Sequence, residues 1–112
     1  MPDIDIPNRV ANSSFLNQTG NIGATTLFSP VAAGNFRLSL YGELNAGSTA
    51  VVTVTLSWTD GNGAQSIAIS LSVPGGFAHD TVFVHVASGA ISISASQGGG
   101  STYSLYAAVE QM

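Results

Sequence analysis

Two stretches of the chain hold residue types that do chemistry in other settings. In "PGGFAHD", which reads as a loop, His79 and Asp80 are adjacent and His85 follows, which is the raw material of a proton relay or a metal site. In "LSWTDGNGAQSI", the single tryptophan, Trp58, stands beside Asp60-Gly61-Asn62-Gly63, an oxygen-rich run of the sort that holds a calcium ion or a sugar. Neither set makes a reaction centre. The many serines come without a G-x-S-x-G elbow, and a neighbouring His and Asp point to opposite sides of an extended chain. His79, Asp80 and His85 lack the spacing of a known ligand set. A calcium loop needs a further Asp or Asn and a distal Glu, whereas Ala64 and Gln65 follow here. Gly98-Gly99-Gly100 leads into neither a lysine nor a helix, so it is no phosphate loop. With no cysteine, thiolate chemistry and disulfides are absent too. The chain is read as a non-enzyme, with no catalytic residues, no metal and no cofactor.

The same residues make better sense as parts of strands and turns. Asp-Gly and Asn-Gly between alternating runs are strong hairpin signals, so Asp60, Gly61, Asn62 and Gly63 are expected to form a tight turn. On one side of it Val52, Val54, Leu56 and Trp58 alternate with Val51, Thr53, Thr55 and Ser57. On the other, Ile67, Ile69, Leu71 and Val73 alternate with Ser66, Ala68, Ser70 and Ser72. Period two recurs in "NFRLSLYGEL", "TVFVHVA", "AISISAS" and "YSLYAAVE", with Gly, Asn and Pro between the runs. Trp58 falls on the inward phase, which assigns it to the core. Tyr41 and Tyr106 fall on the outward phase and are the better candidates for stacking on a sugar. Short strands at regular intervals predict an all-β, antiparallel two-sheet sandwich of jelly-roll type with seven or eight strands.

Residues 1–20 read differently. Pro2, Pro7, Asn8, Asn12, Asn17 and Gly20 punctuate them, and Ile4, Ile6, Val10, Phe15 and Leu16 follow no sustained period. They are read as an extended N-terminal arm that contacts a partner through those five apolar residues, preceding a β-sandwich domain over 21–112. Removing residues 1–16 is then expected to impair attachment and to leave the sandwich folded.

Composition narrows the partners. Only 7% of the 112 residues are charged, against about 25% in ordinary soluble proteins. There is no lysine, and a formal charge of −4 excludes the basic footprint that nucleic acid or a polybasic membrane contact requires. Sheet edges are commonly guarded by charge, which is scarce here. Tyr41, Val51, Phe83, His85 and Tyr106 lie on outward phases and are therefore read as the interface of a closed homo-oligomer.

Three stretches together resemble a known group. "NQTGNIGATTLFSPVAAGNFRLSLY" (17–41), "VTVTLSWTDGNGAQ" (52–65) and "YSLYAAVE" are similar to small β-rich structural proteins encoded by tailed bacteriophages. That group shows I-G-A-T-T-L-Y-x-P, then A-G-x-Y-R-x-S-x-Y and a V-T-V-x-W-T-D hairpin. Phe28 and Phe36 stand here where the group tends to have tyrosine. The resemblance implies a virion structural protein of the head-decoration or tail/fibre type, a homotrimer packed against major capsid or tail proteins. It would be made in the host cytoplasm and reside on the phage particle. The alternatives are a carbohydrate- or receptor-binding β-sandwich module that uses Tyr41, Tyr106 and loop amides, and a subunit of a bacterial surface filament.

Overall fold

The computed structural model describes residues 8–46, 51–72, 77–98 and 102–112. Eight strands occupy them: β1 (Asn8–Gln18), β2 (Ile22–Phe28), β3 (Gly34–Ala46), β4 (Val51–Asp60), β5 (Gly63–Ser72), β6 (Phe77–Val86), β7 (Ser88–Gln97) and β8 (Thr102–Gln111). They build two four-stranded sheets, ordered β1-β8-β3-β6 and β2-β7-β4-β5. Among consecutive strands only β4 and β5 pair with each other. Outward from that hairpin, β3 pairs with β6, β2 with β7 and β1 with β8, all antiparallel. The chain is thus one long hairpin folded over on itself, which is the jelly-roll arrangement.

The apex of that hairpin is the turn at Gly61-Asn62. Asp60 Oδ1 accepts the backbone N–H of Asn62 at 2.8 Å and the side-chain amide of Gln65 at 3.3 Å. This is the local bonding that makes Asp a turn former. The left-handed position falls on Gly63, with φ 117°, where a Cβ would be strained.

Inward phases fill the space between the sheets. Phe36, Leu38 and Leu40 of β3 meet Val52, Val54 and Leu56 of β4, with Ile91 and Ile93 of β7 and Leu105 and Val109 of β8, all buried. Tyr103 is buried with them and donates its hydroxyl to the Gly20 carbonyl at 2.8 Å. Ser104, the one buried polar residue among those described, accepts the Asn17 N–H at 3.0 Å and donates to Asn45 Oδ1. These bonds tie down the end of β1, where Asn17 takes a left-handed φ of 51°.

The structure corrects two expectations. Residue 20 does not divide an arm from the sandwich, because residues 8–18 are an edge strand of it. Ala11, Ser13 and Phe15 of β1 pair with Val109, Ala107 and Leu105 of β8. Two register shifts and several polar residues break the alternation that would have marked this strand. Val10 and Phe15 pack against the core, Leu16 is 54% exposed, and Ile4 and Ile6 lie outside the described residues. The second correction concerns His79-Asp80, which sits within β6 rather than in a loop.

Two stability measurements follow. Leu56→Ala removes a fully buried side chain between the sheets and should lower the unfolding free energy by about 3 kcal/mol in chemical denaturation. Removing residues 1–16 takes away most of β1 and uncovers the edge of β8. That truncation should lower the melting temperature markedly, contrary to the expectation for a detached arm; an unchanged melting temperature would restore the arm.

Candidate functional site

The outer face of the β1-β8-β3-β6 sheet is built in rows, because residues in register on neighbouring strands line up across it. One row runs Ser14, Tyr106, Tyr41, His79 from β1 to β6. The next, two residues along each strand, runs Asn12, Ala108, Ser39, Thr81. Beyond it come Glu110, Arg37 and Phe83 on β8, β3 and β6. Large side chains therefore flank a row of small ones. The result is a trough of ≈ 300 Å³ lined by Asn12, Ser39, Tyr41, His79, Thr81 and Tyr106 among others. Its walls stand about 13 Å apart along the strands, and its length from β1 to β6 is about 14 Å.

One wall is aromatic. The Tyr41 and Tyr106 rings are 6.2 Å apart and inclined at 55°, and Phe77 stacks on Tyr41 at 5.7 Å with the planes 7° apart. His79 continues the series, 6.5 Å from Phe77 and nearly parallel to it. Tyr41 remains 39% exposed and Phe77 62%, so ring faces are open to a ligand. Beyond the row of small residues lies an ion pair: Arg37 reaches Glu110 Oε1 through Nε at 2.9 Å and through a terminal nitrogen at 2.8 Å.

The charges near the trough are largely engaged. Glu43 accepts the Tyr106 hydroxyl at 2.9 Å, and Asp80 Oδ1 accepts the Thr81 N–H at 2.8 Å. Asp80 is on the inward phase of β6, opposite Leu40, while His79 is outward, opposite Tyr41. The pair therefore forms no relay. Among the described residues no group of three His, Asp or Glu is arranged to hold a metal ion.

Sequence phase and structure agree in part on the surface residues. Tyr41 and Tyr106 come together as cross-strand partners. Phe83, 65% exposed, is on the same face at the far wall, and His85 lies further along β6, where its Nδ1 is 2.7 Å from Asn35 Oδ1. Val51 is on the other sheet, so these five residues form no single patch. Trp58 is half-buried against the core. Phe77 and His79 were missed as members of the aromatic row. Their signal was their shared phase with Phe83, hidden because "PGGFAHD" reads as a loop.

No protein-family model matches the sequence, and no curated protein matches it. Several solved structures are similar, among them the following three. One is the Clostridium thermocellum endo-1,4-β-D-xylanase 10B, CBM22-1 and GH10 modules complexed with xylohexaose, at TM-score 0.54 and 11% identity over 96% of this chain. The chain spans 29% of that xylanase chain. A second is the TNF Eiger from S. frugiperda, at TM-score 0.51 and 9% identity, covering 94% of this chain and 93% of that one. The third is a family 16 carbohydrate-binding module, at TM-score 0.46 and 13% identity, covering 84% and 70%. At such identities the likeness is one of fold: an all-β sandwich.

The phenol contacts can be titrated. The hydrogen bond from Tyr106 to Glu43, then burial and the charge of Glu43, raise its pKa above the usual value; burial does the same for Tyr103. A raised folded pKa favours the neutral phenol in the fold. That contribution is complete below the unfolded value of about 10 and is lost as pH climbs through the folded one. Ultraviolet titration of phenolate should show these two tyrosines ionising late, and Glu43→Gln should bring Tyr106 back towards the ordinary value. A wild-type curve without late phenols would remove the Tyr106–Glu43 bond from the description.

Proposed function

We propose that the chain is a non-catalytic binding module that takes a neutral glycan across the trough of the β1-β8-β3-β6 face. One observation carries this reading: a cluster of rings, in which the exposed Tyr41 and Phe77 stack on each other, stands beside a floor of hydroxyl, amide and methyl groups. Ring faces suit the C–H faces of a sugar, and the small polar floor leaves room for its hydroxyls to bond. Asn12, Ser39 and Thr81 supply donors and acceptors, while Tyr41 and Phe77 supply the stacking surface. Arg37, the guanidinium described on this face, is paired to Glu110, and the chain has no lysine, which favours a neutral sugar over an acidic one. A likeness of fold to a chain that carries a CBM22-1 module and was solved with xylohexaose is consistent with this reading.

A second reading is assembly on a phage particle, as the sequence resemblance implies. The exposure of Phe77 and Phe83 on a chain without lysine favours it, since such residues suit contact with other virion proteins. That reading needs no bound sugar.

Calorimetric titration with neutral oligosaccharides separates the two. Binding that is insensitive to salt and weakened about tenfold, or ~1.4 kcal/mol, by Tyr41→Ala is expected of the glycan module. Tyr41→Phe should retain most of the affinity. If no neutral oligosaccharide binds at millimolar concentration, the trough is not a glycan site and the assembly reading takes its place.

A further inference from the structure

Four strands end the two sheets, and each edge strand exposes a row of unpaired backbone groups. Three of the four carry devices that discourage pairing. In β1 the register shifts twice and Asn17 is left-handed. In β2 the register also shifts twice. In β6 the charged Asp80 occupies an inward phase. The fourth, β5, has none of these. From Gly63 to Ser72 it holds no charged residue and no proline, and it keeps register with β4 through all ten pairs from Asp60–Gly63 to Val51–Ser72.

Two further features set β5 apart from the other edges. Its outward residues Ala64, Ser66, Ala68, Ser70 and Ser72 are all small and exposed, so nothing obstructs a strand laid alongside. On the inward phase Ile67 is 42% exposed although it sits opposite the fully buried Leu56. The run Ser66-Ile67-Ala68-Ile69-Ser70 also reads the same in both directions. Antiparallel pairing of this run with itself about Ala68 sets Ser against Ser and Ile against Ile, on the correct face at every position. A palindrome of this kind suits an identical strand and no other in particular.

We propose that β5 is a docking edge whose occupant is β5 of a second copy, paired antiparallel about a two-fold axis at Ala68. The β2-β7-β4-β5 sheet then continues as an eight-stranded sheet, and Ile67 is covered by Ile69 of the second copy. The contact is isologous, so it closes at two copies and leaves no free β5 edge for further growth. The axis is perpendicular to the sheet, which keeps the outer faces of both β1-β8-β3-β6 sheets on one side. Both troughs then face the same surface, and a polymer bearing repeated sites would be held by both at once. This last consequence rests on the glycan reading; the pairing does not.

Sedimentation velocity on the whole chain, without any sugar, tests the pairing by itself. The wild type should be a dimer at micromolar concentration. Ala68→Lys and Ala68→Glu each place like charges opposite one another, at an exposed site that the core does not use. Each should weaken the dimer at least tenfold with the circular-dichroism spectrum unchanged, and mixing the two should restore it. Ser66→Lys combined with Ser70→Lys, which sets lysine against lysine in the same register, serves the same purpose should a variant at position 68 fail to fold. A monomeric wild type, a trimer, open-ended fibres, or a dimer indifferent to these charges would each overturn the proposal. None of these outcomes depends on whether the trough binds glycan.

Discussion

The turn at Gly61-Asn62 is the constraint on which the rest of the architecture depends. It is the one place where consecutive described strands pair directly, and Asp60 secures it with two hydrogen bonds to its own loop. Once β4 and β5 are in register, β3 and β6 are brought near each other, then β2 and β7, then β1 and β8. Each successive pair closes a longer loop, but the entropy lost grows only with the logarithm of loop length once the inner pairs exist. Without the apex, residues as distant as Phe15 and Leu105 would have to find each other across most of the chain. A fold made almost wholly of such non-local pairs should form slowly, and its inner hairpin is the natural place to begin.

The same period of two that fills the core also determines what the outer face can be. Placing Phe36, Leu38 and Leu40 inward obliges Arg37, Ser39 and Tyr41 to face out, and register with β8 and β6 completes each row. The trough exists because the row through Ser39 is small on every strand while its neighbours are not. It needs no special backbone: flat sheet and side-chain size suffice. The opposite sheet follows the same alternation with Ser, Thr and Ala on nearly every outward position of β4, β5 and β7. Its own hollow of ≈ 320 Å³, beside Ser57, Thr59, Ser66 and Ser92, is lined by a single aromatic residue, Trp58. The outer faces of two sheets of equal topology thus differ chiefly in a handful of aromatic residues.

What could be read from the sequence followed from how local each signal was. The alternations in β3, β4, β7 and β8 were plain, since these strands lie inside their sheets and bury one complete phase. β1 escaped because an edge strand need not bury a full phase, and its register shifts move side chains off the alternating pattern. The start of β6 escaped because Pro74-Gly75-Gly76 made the following residues look like loop. Tyr41 and Tyr106 were recognised singly as outward aromatics, but their convergence with Phe77 and His79 depends on strand order, which no local pattern encodes.

Scarcity of charge, the most unusual compositional feature, acquires a physical role on this face. Each carboxylate or guanidinium on a half-buried surface must be paired or hydrated, and hydration water competes with any ligand. Here Arg37 answers Glu110, and Glu43 is occupied by Tyr106. Between these engaged groups, the described side chains form a surface of rings, hydroxyls and amides that can lose its water at modest cost. Such a surface discriminates by shape and by the directions of hydrogen bonds rather than by long-range attraction. Its association with a ligand would therefore be slow by electrostatic standards and indifferent to salt. On the glycan reading such a module would gain strength by repetition, and pairing through the β5 edge would provide a way to repeat it.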